Sequence, residues 1–101
     1  MKEYEVFVPL YYNDGTPIEP KKLEAVQDRL ELFDGLTFFP EPNQGFWRSG
    51  EHTYRDEIVI YRVLSPHVEE SRRFLRQLKA DLERDLDQRE ILVVERDVKT
   101  L

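Results

Sequence analysis

Apolar and polar positions alternate from Tyr4 to Tyr12, with Tyr4, Val6, Val8, Leu10 and Tyr12 on one side and Glu5, Phe7, Pro9 and Tyr11 on the other. That period of two predicts a strand with one strongly apolar face and one partly aromatic face. Pro9 has no N–H to give to a ladder, so a bulge or an early end to pairing is expected there. Asn13-Asp14-Gly15 is a turn signal, and Pro17 and Pro20 suit a first helical turn. The period then changes. Leu23, Val26, Leu30 and Phe33 follow one another at intervals of 3, 4 and 3 residues, which predicts an amphipathic helix over Lys21–Phe33. Gly35 is placed to end it in a left-handed cap.

Leu36-Thr37-Phe38-Phe39 reads as a second strand, stopped by Pro40 and Pro42 and resumed by Gly45-Phe46-Trp47-Arg48 beyond an irregular break. Ser49-Gly50 marks a turn, and Tyr54 to Leu64 returns as a long strand. Its centre, Ile58-Val59-Ile60-Tyr61, is apolar on both sides, as a strand covered on both faces would be. Either Ile58 and Ile60 or Val59, Tyr61 and Val63 can point into the core; the first pair is the expectation. Ser65 is a good N-cap and Pro66 a good first helical residue for a second helix over Pro66–Asp87, with Val68, Leu75, Leu78 and Leu82 in register. Glu90 to Val98 is the last strand.

The order β-α-β-β-α-β is the split βαβ pattern of ferredoxin-like α+β folds. Right-handed crossovers place both helices on one face of a four-stranded antiparallel sheet, with the first and third strands central. The sheet's other face is left open, and Phe7 and Tyr11 are expected on it. A chain of 101 residues makes a single domain, 1–101.

Composition narrows the chemistry. Cysteine is absent, which removes disulfides, thiol nucleophiles and thiolate metal sites. The formal charge of −6 disfavours a phosphate-backbone binder, so no nucleic-acid partner is expected. No apolar run approaches the roughly 18 residues of a spanning helix, and the start lacks a secretory segment, so a cytoplasmic protein without membrane contact is expected. His52 and His67 fall in different elements without a spaced partner, so no metal is expected. No phosphate-binding loop or G-x-S-x-G elbow is present, and no cofactor is expected.

Phe33-Asp34-Gly35-Leu36-Thr37, Gly45-x-Trp47-Arg48 and Arg55-Asp56-Glu57 together resemble a family of small bacterial proteins of unknown function. Its members carry a D-G-L-T…G-x-W-R…R-E pattern in the same order of elements. The resemblance covers Phe33 to Val63. Asp56, between Arg55 and Glu57, departs from the pattern, and so does the lack of the secretory segment that many members have. The resemblance implies the fold, assigns no activity, and directs attention to Thr37, Trp47, Arg48, Arg55 and Glu57.

Residue chemistry points to the same region. Arg55 and Glu57 share a strand face by alternation. Beside Tyr11, Tyr61 and Trp47 they would hold a small anion and supply an acid or base. Thr37, Trp47, Arg48, Arg55, Glu57, Tyr11 and Tyr61 are therefore the candidate ligand-binding residues. The bland alternative is a surface ion pair at a strand end and a tryptophan that closes the sheet.

Apolar residues on both faces of the central strands lead to the expectation of a non-enzymatic homodimer, an interaction module docking through its open sheet face. The alternative is a small-molecule enzyme of the dimeric α+β barrel type, with a site around Trp47, Arg55 and Glu57. A further alternative is an acidic inhibitor of a basic partner. A cavity with convergent polar groups would favour the enzyme or ligand binder over the interaction module.

Overall fold

The computed structural model describes residues 1–101, the side chain of Ser49 excepted. Its elements are β1 (Lys2–Pro9), α1 (Pro20–Leu30), β2 (Gly35–Ser49), β3 (His52–Ser65), α2 (Val68–Asp85) and β4 (Val93–Asp97). The strands form one antiparallel sheet in the order β2-β3-β1-β4, so β1 and β3 are central. Both helices pack on the same face, and the fold is the ferredoxin-like α+β arrangement.

The core forms where the apolar row of β1 meets the helices. Tyr4, Val6 and Val8 are buried among Val26 and Leu30 of α1 and Leu75, Leu78 and Leu82 of α2. Pairing then decides which set of β3 faces inward. Tyr4 lies opposite Val63, Val6 opposite Tyr61 and Val8 opposite Val59, and directly opposed residues share a face. Val59, Tyr61 and Val63 are therefore the core row, and the expectation that Ile58 and Ile60 point inward is corrected. Those two stand opposite Pro9 and Phe7 on the open face.

The open face is not bare. Glu5, 6% exposed, accepts hydrogen bonds from Arg62 and Arg96, and Arg62 also pairs with Glu3. The Arg62 guanidinium lies 5.0 Å from the centroid of the Phe39 ring, so its stem and head cover apolar surface. Both guanidiniums hold the Glu5 carboxyl below its usual range, against the opposing effect of burial, which is the largest single influence on it.

Helix ends differ from the sequence expectation by a turn or less. α1 stops at Leu30, because the chain tightens there: the Phe33 N–H donates to the Leu30 carbonyl at 3.1 Å. Phe33 then turns in to meet Phe74 edge-on, with ring centroids 5.4 Å apart. Gly35 opens β2 and has no positive φ, so the left-handed cap expected of it is corrected; the positive-φ glycines are Gly15 and Gly50. α2 begins at Val68 rather than Pro66. Ser65 still acts at that end, its Oγ accepting from the His67 N–H at 3.0 Å and from the Ser71 hydroxyl at 2.8 Å.

β4 is shorter than Glu90–Val98. Before it, the backbone of Ile91 is held by α2 side chains, with its N–H donating to Glu83 at 2.9 Å and its carbonyl accepting from Lys79. Val98 follows the strand with a single bond to Met1.

The feature that positions a site is the length of β2 and β3. β1 ends where Pro9 opposes Ile58, yet β2 and β3 stay paired with each other out to Ser49 and His52. Between Phe39 and Asn43 the register shifts, and Pro40-Glu41-Pro42 occupies the irregularity, where missing N–H groups cost the ladder least. Beyond it the hairpin projects as an arm, closed by a tight reversal at Gly50, whose φ is +63°.

Candidate functional site

The arm presents two rows. Gln44 opposes Glu57, Phe46 opposes Arg55 and Arg48 opposes Thr53, which puts Arg48, Arg55 and Glu57 in one row. Gly45 opposes Asp56 and Trp47 opposes Tyr54, forming the other. A Cβ at position 45 would lie 3.4 Å from the Trp47 indole nitrogen, an ordinary contact distance, so the indole packs close over Gly45. Phe46, Trp47 and Tyr54 are all exposed, although their burial would be favourable.

Opposite the arm stand two loops of the body. The β1–α1 loop folds on itself: Asp14 Oδ1 accepts from the Thr16 N–H at 2.9 Å and from the Thr16 hydroxyl at 2.7 Å. Both bonds hold the Asp14 carboxyl below its usual range. Gly15 at φ +89° completes the reversal. Tyr12 is held by its hydroxyl, which donates to Glu19 and accepts from Lys22 at 2.7 Å. The second loop joins α2 to β4. Asn13 Nδ2 donates to the Asp87 carbonyl at 3.3 Å and joins the two loops, and beside them Lys22 Nζ, in the first turn of α1, donates to the Asp85 carbonyl at the end of α2 at 2.9 Å.

Between arm and loops lies an open cleft of about 950 Å3. Trp47, Arg48, Tyr54, Arg55, Asp56 and Glu57 form the arm wall. Tyr11, Tyr12, Asn13, Gly15, Gln88, Arg89, Glu90 and Leu92 form the body wall. The cleft carries aromatic faces, guanidiniums and carboxylates on facing surfaces, the mixture that a polar organic ligand requires.

Five of the residues marked in the sequence thus come together: Tyr11, Trp47, Arg48, Arg55 and Glu57. Two do not. Tyr61 is 2% exposed in the core, stacked on Phe38 with centroids 4.6 Å apart, and burial pushes its phenol pKa up. Thr37 opposes Arg62 in the sheet proper, apart from the arm. Sequence reasoning missed Tyr12, Tyr54, Asp56 and the whole Gln88–Leu92 contribution. The Asn13-Asp14-Gly15 turn was visible as a turn, but no local signal joins it to a loop more than 70 residues further on.

A smaller recess of about 210 Å3 lies between α2 and β4, lined by Tyr4, Arg72, Leu75, Arg76, Lys79 and Val93 to Glu95. Its polar groups largely satisfy one another: Arg72 holds Glu95 and Glu69, and Lys79 holds Glu83. Among the described residues no group of three or more His, Asp or Glu is arranged to hold a metal ion, and no helix is long and apolar enough to cross a membrane.

No family model matches the chain, and no curated protein matches it. Solved structures do. A phage SAM lyase in complex with S-methyl-5'-thioadenosine is similar over 95% of this chain and 80% of its own, with a TM-score of 0.67 and 16% identity. A phage SAM lyase in the apo state is similar over 94% of this chain and 78% of its own, with a TM-score of 0.66 and 17% identity. The likeness is one of fold: the ferredoxin-like arrangement is shared over nearly the whole chain.

Proposed function

We propose that this chain is a small-molecule enzyme of the S-adenosylmethionine-cleaving kind, with its site in the cleft between the hairpin arm and the body loops. The observation that carries the reading is the cleft, which brings Trp47, Tyr54, Tyr11 and Tyr12 against charged groups of both signs. The likeness to phage SAM lyase supplies the ligand class.

The chemistry of that ligand class fits the walls. Adenine stacks on aromatic faces, and a sulfonium cation is attracted to the same faces. The carboxylate of Asp56 is an acceptor for ribose hydroxyls. Forming S-methyl-5'-thioadenosine from S-adenosylmethionine breaks the bond from sulfur to the γ-carbon of the amino-acid chain; the electron pair stays on sulfur, and the γ-carbon regains a bond from within the same chain, by attack of its own carboxylate oxygen or by loss of the neighbouring β-proton to a base, so no co-reactant is needed. Positive charge disappears from sulfur in that step, so aromatic walls would hold the substrate more tightly than the neutral product.

An interaction module docking through the open sheet face has less support. A second copy seated there would have to bury the Glu3, Glu5, Arg62 and Arg96 network, and burying ion pairs rarely repays their lost hydration.

Two measurements test the reading. Calorimetric titration with S-methyl-5'-thioadenosine should show one site per chain. Incubation with S-adenosylmethionine should release S-methyl-5'-thioadenosine, separable by chromatography. Absence of both binding and product at millimolar ligand overturns it.

A further inference from the structure

Arginine is placed unevenly in this protein. Arg29, Arg62, Arg72, Arg84 and Arg96 each face a carboxylate in an ion pair. Among the described residues Arg48, Arg55, Arg73, Arg76 and Arg89 have no such partner; Arg73 and Arg76 lie along α2, whereas Arg48, Arg55 and Arg89 all line the cleft. Arg48 and Arg55 are also neighbours by register. Arg55 opposes Phe46 and Arg48 opposes Thr53, so the two arginines are diagonal partners on one row of the arm. Diagonal positions lie roughly 7–8 Å apart, within reach of two long side chains. Two like charges so placed repel each other unless an anion sits between them. Arg89 comes from the α2–β4 loop, on the opposite wall.

We infer that Arg48 and Arg55, with Arg89 across the cleft, form a grip for the α-carboxylate of the ligand, so that the site selects an amino-acid-bearing sulfonium over its decarboxylated analogue. The inference rests on the ligand class proposed above. Guanidinium suits the task because its planar fork meets a carboxylate with two parallel hydrogen bonds. The carboxylates already on the cleft walls do not fill the role. Asp56 lies in the other row of the arm, and Glu90 is turned toward Lys79 at 3.6 Å. Glu57, in the same row as Arg55, is available for the ligand's ammonium group.

The test is equilibrium binding of three probes, S-adenosylmethionine, decarboxylated S-adenosylmethionine and S-methyl-5'-thioadenosine, to the unaltered protein and to Arg48→Gln, Arg55→Gln and Arg89→Gln. Arg76→Gln, outside the cleft, is the control. The unaltered protein and the control should prefer the carboxylated sulfonium by roughly tenfold or more, the worth of a charge-assisted pair. The Arg48 and Arg55 variants should lose that preference while binding S-methyl-5'-thioadenosine as before, since the thioether has no carboxylate. Equal binding of the two sulfonium compounds by the unaltered protein, with S-methyl-5'-thioadenosine still bound, overturns the grip and leaves the ligand class standing. Binding of none of the three overturns both.

Discussion

Arg72 grips Glu95 with two parallel hydrogen bonds, Nε to Oε1 at 2.7 Å and Nη2 to Oε2 at 2.9 Å, and so fastens α2 to the edge strand β4. The pair holds the Glu95 carboxyl down at about 2, from an ordinary value of 4.5. A carboxyl with a depressed folded pKa adds stability that is present above its unfolded value and lost as pH falls through the folded one. Acid should therefore loosen this contact between about pH 4.5 and 2. Glu95→Gln should flatten that part of the pH–stability curve in urea titrations. An unchanged acid limb would show that the pair does not couple to folding.

Tyr4 gives the opposite limb. Burial, reinforced by the neighbouring Glu95 carboxylate, pushes its phenol up to about 12 from 10.0. Stability from the neutral phenol is complete below pH 10 and declines as pH rises toward 12. Tyr4→Phe should remove this alkaline loss. Thermal melts from pH 9 to 12 read it directly.

Leu78 has no exposed surface and lies at the centre of the helix–sheet contact. Leu78→Ala should cost about 2–5 kcal/mol by chemical denaturation, because the neighbours can refill only part of the cavity. A cost under about 0.5 kcal/mol would mean that α2 does not pack there.

Glycines 15 and 35 should respond in opposite senses. Gly15 sits at φ +89°, which an L side chain resists, so Gly15→Ala should destabilise by about 1 kcal/mol. Gly35 has no positive φ, and a Cβ there would meet nothing within 4 Å. Gly35→Ala should therefore be neutral or stabilising by a few tenths of a kcal/mol, through the lost freedom of the unfolded chain. The difference between the two melting temperatures is the measurement.

Trp47 and Arg55 lie on the arm, outside the core cluster. Trp47→Ala combined with Arg55→Ala should abolish binding of S-methyl-5'-thioadenosine or S-adenosylmethionine and leave the far-ultraviolet circular dichroism spectrum in place. Loss of the folded spectrum would make both residues structural.

The order of elements was legible because each carries its own period. Val6 and Val8 alternate, Leu23, Val26 and Leu30 follow a helical stripe, and Leu75, Leu78 and Leu82 do the same. The inward face of β3 was not legible, since Ile58, Ile60, Val59 and Val63 are all apolar and β-branched. Only pairing with β1, whose rows differ sharply, decides it. The same ambiguity placed Tyr61 in the candidate site: an aromatic next to a charged row reads as a ligand wall until its register buries it. Half of the cleft was readable, because Trp47, Arg48, Arg55 and Glu57 lie close together along one hairpin. Arg89 and Glu90 were not, because their place beside the arm is set by how α2 returns to the sheet, which no local pattern encodes.

The overhang of β2 and β3 past Pro9 gives this fold a dimension that can be tuned separately. Core residues end at the root of the hairpin, so its reach can change without disturbing the helices. The change comes in steps, because side chains alternate with a period of two. Removing one cross-strand pair would turn each row to the opposite face of the arm, whereas removing two would shorten the arm and keep each row on its own face. Hairpin length is thus a ruler for the molecule that fits beneath it, graduated in pairs of residues.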